Sequence, residues 1–165
     1  MLHFAANYIF NGDVLIKNSL VTTDEQGEIL FVGKEGDAIK ERPHMIFFNG
    51  IISPGFIFNK TFENHTDIIK NVNLNNNHPE SSRDIISKGE YQRDILDFIK
   101  NINKEYPELG LLNILRKFTK EAADIIKCRE IGRLQKGLSP VIILLENIDL
   151  IDKKLKNDTF VKILI

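Results

Sequence analysis

The chain has 165 residues, 42% of them hydrophobic, enough for one domain with a core and too few for a complete (β/α)₈ barrel of roughly 200–250 residues. Its 22 basic and 23 acidic residues leave a net charge of −1 with no long single-sign block, so neither nucleic acid nor an acidic membrane surface is an expected partner. A single cysteine, Cys128, excludes a disulfide framework within the chain. The N-terminus has no basic region ahead of an apolar core, and no apolar stretch approaches the roughly 20 residues of a membrane helix. The expected compartment is a reducing cytoplasm, and no membrane association is expected.

Residues 1–58 read as β-structure. Tyr8-Ile9-Phe10 is an apolar run closed by the turn signal Asn11-Gly12-Asp13. Val14 to Ile16 and Ser19 to Thr23 are β-branched and apolar, and Asp24 to Glu28 is a polar hairpin loop with a glycine for positive φ. Ile29 to Val32 forms the next strand. Met45 to Phe48 and Ile51-Ile52 flank Asn49-Gly50, which reads as another turn. Pro54-Gly55 then precedes Phe56-Ile57-Phe58. Strands at this spacing predict a small sandwich or an open barrel.

Residues 59–82, with the run Asn71 to Pro79, are rich in turn formers and predict a linker. Residues 83–127 predict two helices. Tyr91, Ile95, Phe98, Ile99 and Ile102 share one helical face, and Tyr106-Pro107 ends it, because a residue before proline is pushed out of the α region. Leu111, Leu115, Phe118, Ala122 and Ile125 make a second stripe. Both stripes are packing surfaces rather than cofactor boxes. Residues 128–165 return to β, with the continuous run Val141 to Leu145 and a final strand from Thr159 to Ile165.

Two separated segments resemble the ends of amidohydrolase-superfamily enzymes, the metal-dependent hydrolases of the cytosine-deaminase, guanine-deaminase and chlorohydrolase-like branch. The first is the hairpin Val21 to Gly33 followed by Gly50-Ile51-Ile52-Ser53-Pro54-Gly55-Phe56-Ile57. The second is Thr119-Lys120-Glu121-Ala122-Ala123, then Gly132-Arg133-Leu134-Gln135-Lys136-Gly137-Leu138-Ser139-Pro140 and Val141 to Leu145. Glu121 stands where asparagine is usual, and Val141 where many relatives have aspartate. The resemblance covers about 1–63 and 109–165. It implies an α+β fold: a composite β-sandwich built from residues 1–58 and 128–165, each end supplying strands that the other needs, with a helical remnant of the barrel at 83–127 inserted.

In that family the Pro-Gly-Phe-Ile segment leads to a His-x-His pair, whose imidazoles share one face of a strand and bind one metal. Aligned here, the pair falls at Lys60 and Phe62, a cation and a side chain with no donor atom. The later ligands and the acid–base groups belong to barrel strands that about 45 intervening residues cannot hold. The resemblance therefore implies a truncated pseudoenzyme of a class that hydrolyses C–N bonds other than peptide bonds. No catalytic, cofactor-binding or metal residue is assigned, no cofactor is expected, and the chain alone is expected to be inactive.

Two other readings stand beside this one. Loss of a barrel would expose Phe56, Ile57, Phe58 and Phe62, giving an interaction module that self-associates or binds a complete paralogue unless the helices fold back over them. Alternatively, Glu63-x-His65-x-Asp67, with His78, could form a rebuilt metal site, since alternate residues of an extended segment share a face. The blander reading of that stretch is a solvated polar loop. His3 and His44 are isolated in sequence, and Cys128 reads as a small packing residue. Lys127, Arg129, Arg133 and Lys136 form a basic cluster without interleaved aromatics, a solvated face.

Overall fold

The computed structural model describes residues 1–36, 39–59, 61–62 and 84–165. Lys60 and the metal candidates Glu63, His65, Asp67 and His78 lie outside the described residues.

β1 (Leu2–Phe10) and β2 (Leu15–Thr23) form a hairpin. The turn at Asn11 is made by its own side chain, whose amide oxygen accepts the Asp13 and Val14 N–H groups at 3.0 Å each. β3 (Ile29–Gly33) continues antiparallel to β2. Between them the Asp24 carboxylate accepts the N–H groups of Gln26 and Glu28, at 2.9 and 2.8 Å. β4 (Met45–Pro54) returns parallel to β1 on its other side. β5 (Ile142–Glu146) pairs antiparallel with β4, and β6 (Phe160–Ile163) with β5. The sheet order is therefore β3-β2-β1-β4-β5-β6.

The two ends of the chain do share one structure, joined at the β4–β5 pair. In place of the expected two-layer sandwich, however, the described strands make one open, mixed six-stranded sheet. Its faces are covered by other elements. Helices cover one, burying Phe10, Ile51, Ile143, Leu145 and Val161. On the other, Leu134 and in part Leu164 and Ile165 pack over Phe4, Ile9, Val21, Ile52, Ile142 and Leu144. The segment around Leu138 is tied to the start of β3, where the Ile29 N–H donates to the Leu138 carbonyl and the Gly137 N–H to the Ile29 carbonyl, both at 2.8 Å.

Asn49-Gly50, expected as a turn, lies inside β4. The register against β1 slips there, from Ala6↔Phe48 to Tyr8↔Ile51, so β4 carries an extra residue as a bulge. Turn chemistry and bulge chemistry draw on the same residues, and the flanking apolar runs do not distinguish them.

α1 (Gly89–Glu105) ends at Tyr106-Pro107 as the sequence predicts, and buries Ile95, Leu96, Phe98, Ile99 and Ile102. A 3₁₀ turn (Pro107–Leu109) leads to α2 (Gly110–Arg116), which passes through a π turn (Lys117–Glu121) into α3 (Ala122–Ile125). Both expected stripes pack on the sheet within one core, except for Ile125, which is exposed at the end of α3. None of the described helices is long and apolar enough to cross a membrane.

Candidate functional site

The resemblance places the functional end of the chain just beyond β4, where a first barrel strand would start. The structure shows how that strand end is built. Pro54 closes the pairing with Ile142, and the Gly55 N–H donates to the Val141 carbonyl at 2.8 Å. The two motifs that carry the resemblance therefore meet here. A side chain on Gly55 would press on Ile86 and on Val141, 3.0 and 3.1 Å from its Cβ, so glycine lets the strand end lie this close.

Phe56, Ile57 and Phe58 continue as an extended segment between α1 and the π turn, each almost fully buried. A buried backbone without a neighbouring strand must find other partners. Gln92 supplies two of them. Its side-chain oxygen accepts the Phe56 N–H at 2.8 Å, and its side-chain amide donates to the Phe56 carbonyl at 3.0 Å and to the Ile86 carbonyl at 2.8 Å. The Ile57 N–H donates to the Phe118 carbonyl at 2.7 Å. The Phe58 N–H donates to the Tyr91 hydroxyl at 3.0 Å. Burial raises the pKa of that phenol, which holds it in the neutral state. The Asn59 side-chain amide donates to the Lys117 carbonyl, at the start of the π turn, at 2.7 Å. Asn59 also accepts from the Thr61 N–H and hydroxyl, at 3.0 and 2.6 Å.

The aromatic side chains complete the seal. Phe58 packs on Phe98 with ring centroids 5.6 Å apart, Phe98 meets Phe118 edge-on at 5.9 Å, and Phe118 stacks on Phe62 at 5.4 Å. The expected exposed junction of Phe56, Ile57, Phe58 and Phe62 is thus corrected. The first three are buried and Phe62 is partly buried, because α1 and the π turn fold back over them.

The second motif is explained by close packing. The Thr119 hydroxyl donates to the Leu115 carbonyl at 2.6 Å, leaving the helix face flat where the chain recrosses it. Gly132 crosses at φ +75, where a Cβ would lie 2.6 Å from the Thr119 carbonyl oxygen and 2.8 Å from the Ala123 methyl.

The remaining candidates are scattered. Among the described residues, no three His, Cys, Asp or Glu side chains come together as a metal-binding group. Cys128 is half-buried against the core. Lys127, Arg129 and Lys136 are exposed, and Arg133 pairs with Asp124. A cleft of about 530 Å³ opens between the start of α2 and the 152–155 turn, lined by Leu15, Asn103, Leu111, Asn113, Lys153 and Leu155. Lys153 sits over the Tyr8 ring, 5.7 Å from its centroid, so its charge is engaged on the protein itself.

His3 is buried on β1, with Nδ1 2.9 Å from the Thr22 hydroxyl. Its pKa is lowered, first by desolvation and then by the Arg42 guanidinium. The folded chain therefore binds fewer protons at this site than the unfolded chain. Stability should be complete above about pH 6.5 and should fall as the pH drops below that value. A melting-temperature series from pH 7.5 to 5 checks this, and His3→Gln should flatten the slope. An unchanged slope in the variant would place the acid sensitivity elsewhere.

Sequence reasoning missed the polar residues that seal the strand end. Gln92 had a signal: it lies in phase with Ile95 and Ile99 on the apolar face of α1, where a polar side chain needs a buried partner. Asn59 and the Tyr91 hydroxyl had none.

No protein-family model matches this chain, and no curated protein matches it. Among solved structures, it is similar to N-acetyl-D-glucosamine-6-phosphate deacetylase from Mycobacterium smegmatis. The identity is 16% and the TM-score 0.29, over 34% of this chain and 14% of the deacetylase. A mutant of that enzyme in complex with N-acetyl-D-glucosamine-6-phosphate gives 16% and 0.28 over the same shares. A likeness this slight, spanning so little of the enzyme, carries no weight for fold or activity.

Proposed function

We propose that this chain is a catalytically silent, amidohydrolase-like β-domain in which a helical hairpin takes the place of the barrel. The reading joins the two sequence motifs to the β-sheet that both ends of the chain build together. One observation carries it: the segment after Pro54-Gly55 is a sealed structural element. The N–H groups of Phe56, Ile57 and Phe58 are used by Gln92, the Phe118 carbonyl and Tyr91. Phe62, at the position of the second metal ligand, is stacked on Phe118. An open metal site needs a strand end that projects donors into an accessible cavity, with a coordination position left for water. Here the strand end projects phenyl rings into the core.

Elemental mass spectrometry of tag-free protein, grown with zinc, iron and manganese, tests the reading. The expected result is a metal content near zero per chain, with no hydrolysis of amide or cyclic amidine substrates above buffer. One tightly held metal per chain, lost in His65→Ala, would overturn it and establish the rebuilt site at Glu63, His65 and Asp67.

A further inference from the structure

β4 is paired along only part of its length on the β5 side. β5 covers Gly50 to Pro54, while Met45 to Phe48 pair with β1 on one side and no described strand pairs with Met45 to Asn49 on the other. Strand geometry turns alternate N–H and C=O groups of such a segment outward. Proteins commonly guard an open edge with lysine, proline or inward-pointing charge. The outermost strand β6 is four residues long and carries Lys162. Met45-Ile46-Phe47-Phe48-Asn49 carries no charge and no proline, and Ile46 and Phe47 are 49% and 53% exposed.

We propose that this segment is a homodimer interface, in which two copies of the chain pair Met45–Asn49 antiparallel about a twofold axis at Phe47. Three features favour a second copy as the occupant. First, the opening has the length of the segment that would fill it. On one side β5 ends at Glu146 opposite Gly50, and Asn147 turns away at φ +57. On the other, β4 emerges from a turn at Pro43-His44, with His44 at φ +61 and the Met45 N–H bonded to the Arg42 carbonyl. A second copy's strand laid antiparallel would put its Met45 opposite Asn49. Its chain then turns away at His44 before meeting Glu146. Second, self-pairing brings every residue against its own segment, and a stretch without charge does so without repulsion. Third, the axis places one Phe47 against the other, an aromatic cross-strand pair of the favourable kind. The bulge at Asn49-Gly50 bends β4 where the two halves change partners. This proposal rests on strand register and is independent of the catalytic reading above.

Sedimentation velocity of the full chain over a concentration series, with Phe47→Lys beside it, tests the proposal. The expected result is a reversible monomer–dimer equilibrium, weakened at least about tenfold in Phe47→Lys by two like charges on the axis. Hydrogen exchange supplies a second reading that needs no variant: protection within Ile46 to Asn49 should rise with protein concentration. A wild-type chain that stays monomeric at high concentration would overturn the proposal. So would a dimer that Phe47→Lys leaves intact, or edge protection independent of concentration, since either places another interface or another occupant there.

Discussion

Replacing Gln92 with Met should lower the melting temperature by about 6–12 °C, the loss of about 3 kcal/mol in a chain of this size. Met keeps the volume and flexibility of Gln and removes both hydrogen-bonding groups. Three backbone groups would then lose their partners: the Phe56 N–H, the Phe56 carbonyl and the Ile86 carbonyl. Gln92 and Phe56 are both fully buried, so water cannot replace what is lost. A buried backbone group left unsatisfied costs about 1–3 kcal/mol, which outweighs the gain from a more apolar side chain. Thermal melts of the variant, with the exposed substitution Glu90→Gln as control, measure the difference. A shift below about 2 °C would show that the segment shifts to find other partners, and that Gln92 does not hold the strand end.

The same residues show where sequence reading succeeds and where it stops. The strands at Ile29–Gly33 and Ile142–Glu146, and the end of α1 before Pro107, follow from local rules of period, propensity and proline geometry. Each is a statement about neighbours in sequence. The single sheet is not. Whether strands close into two layers or lie in one depends on what covers each face, and Leu134 reaches Ile52 and Leu144 only through the tertiary fold. The seal over Phe56 to Phe58 is nonlocal in the same way, since Gln92 and Tyr91 are more than thirty residues away in sequence from the Phe56 and Phe58 groups they bond. Alignment to a motif placed Phe62 where a ligand would stand. Its stacking on Phe118 came from the packing of a helix that the motif does not describe.

Gly50→Ala should cost about 2–3 kcal/mol, and the loss should be concentrated at one seam of the sheet. A Cβ at position 50 would overlap the Leu145 carbonyl oxygen and press within 3.3 Å of the Leu144 side chain. The oxygen belongs to the backbone of a paired strand, so relief requires β5 to move away from β4. That seam is where the two ends of the chain join, through Gly50↔Glu146 to Pro54↔Ile142. β1, β2 and β3 are paired among themselves and do not depend on it. Native-state hydrogen exchange should therefore show β5 and β6 amides losing protection in the variant before those of the β1–β2 hairpin. Uniform loss across all six strands would instead mean that the sheet opens as one cooperative unit. An unchanged melting temperature would mean that β4 and β5 stand further apart than this close approach implies. The small residue that read as a turn signal would then owe its place to the bulge alone.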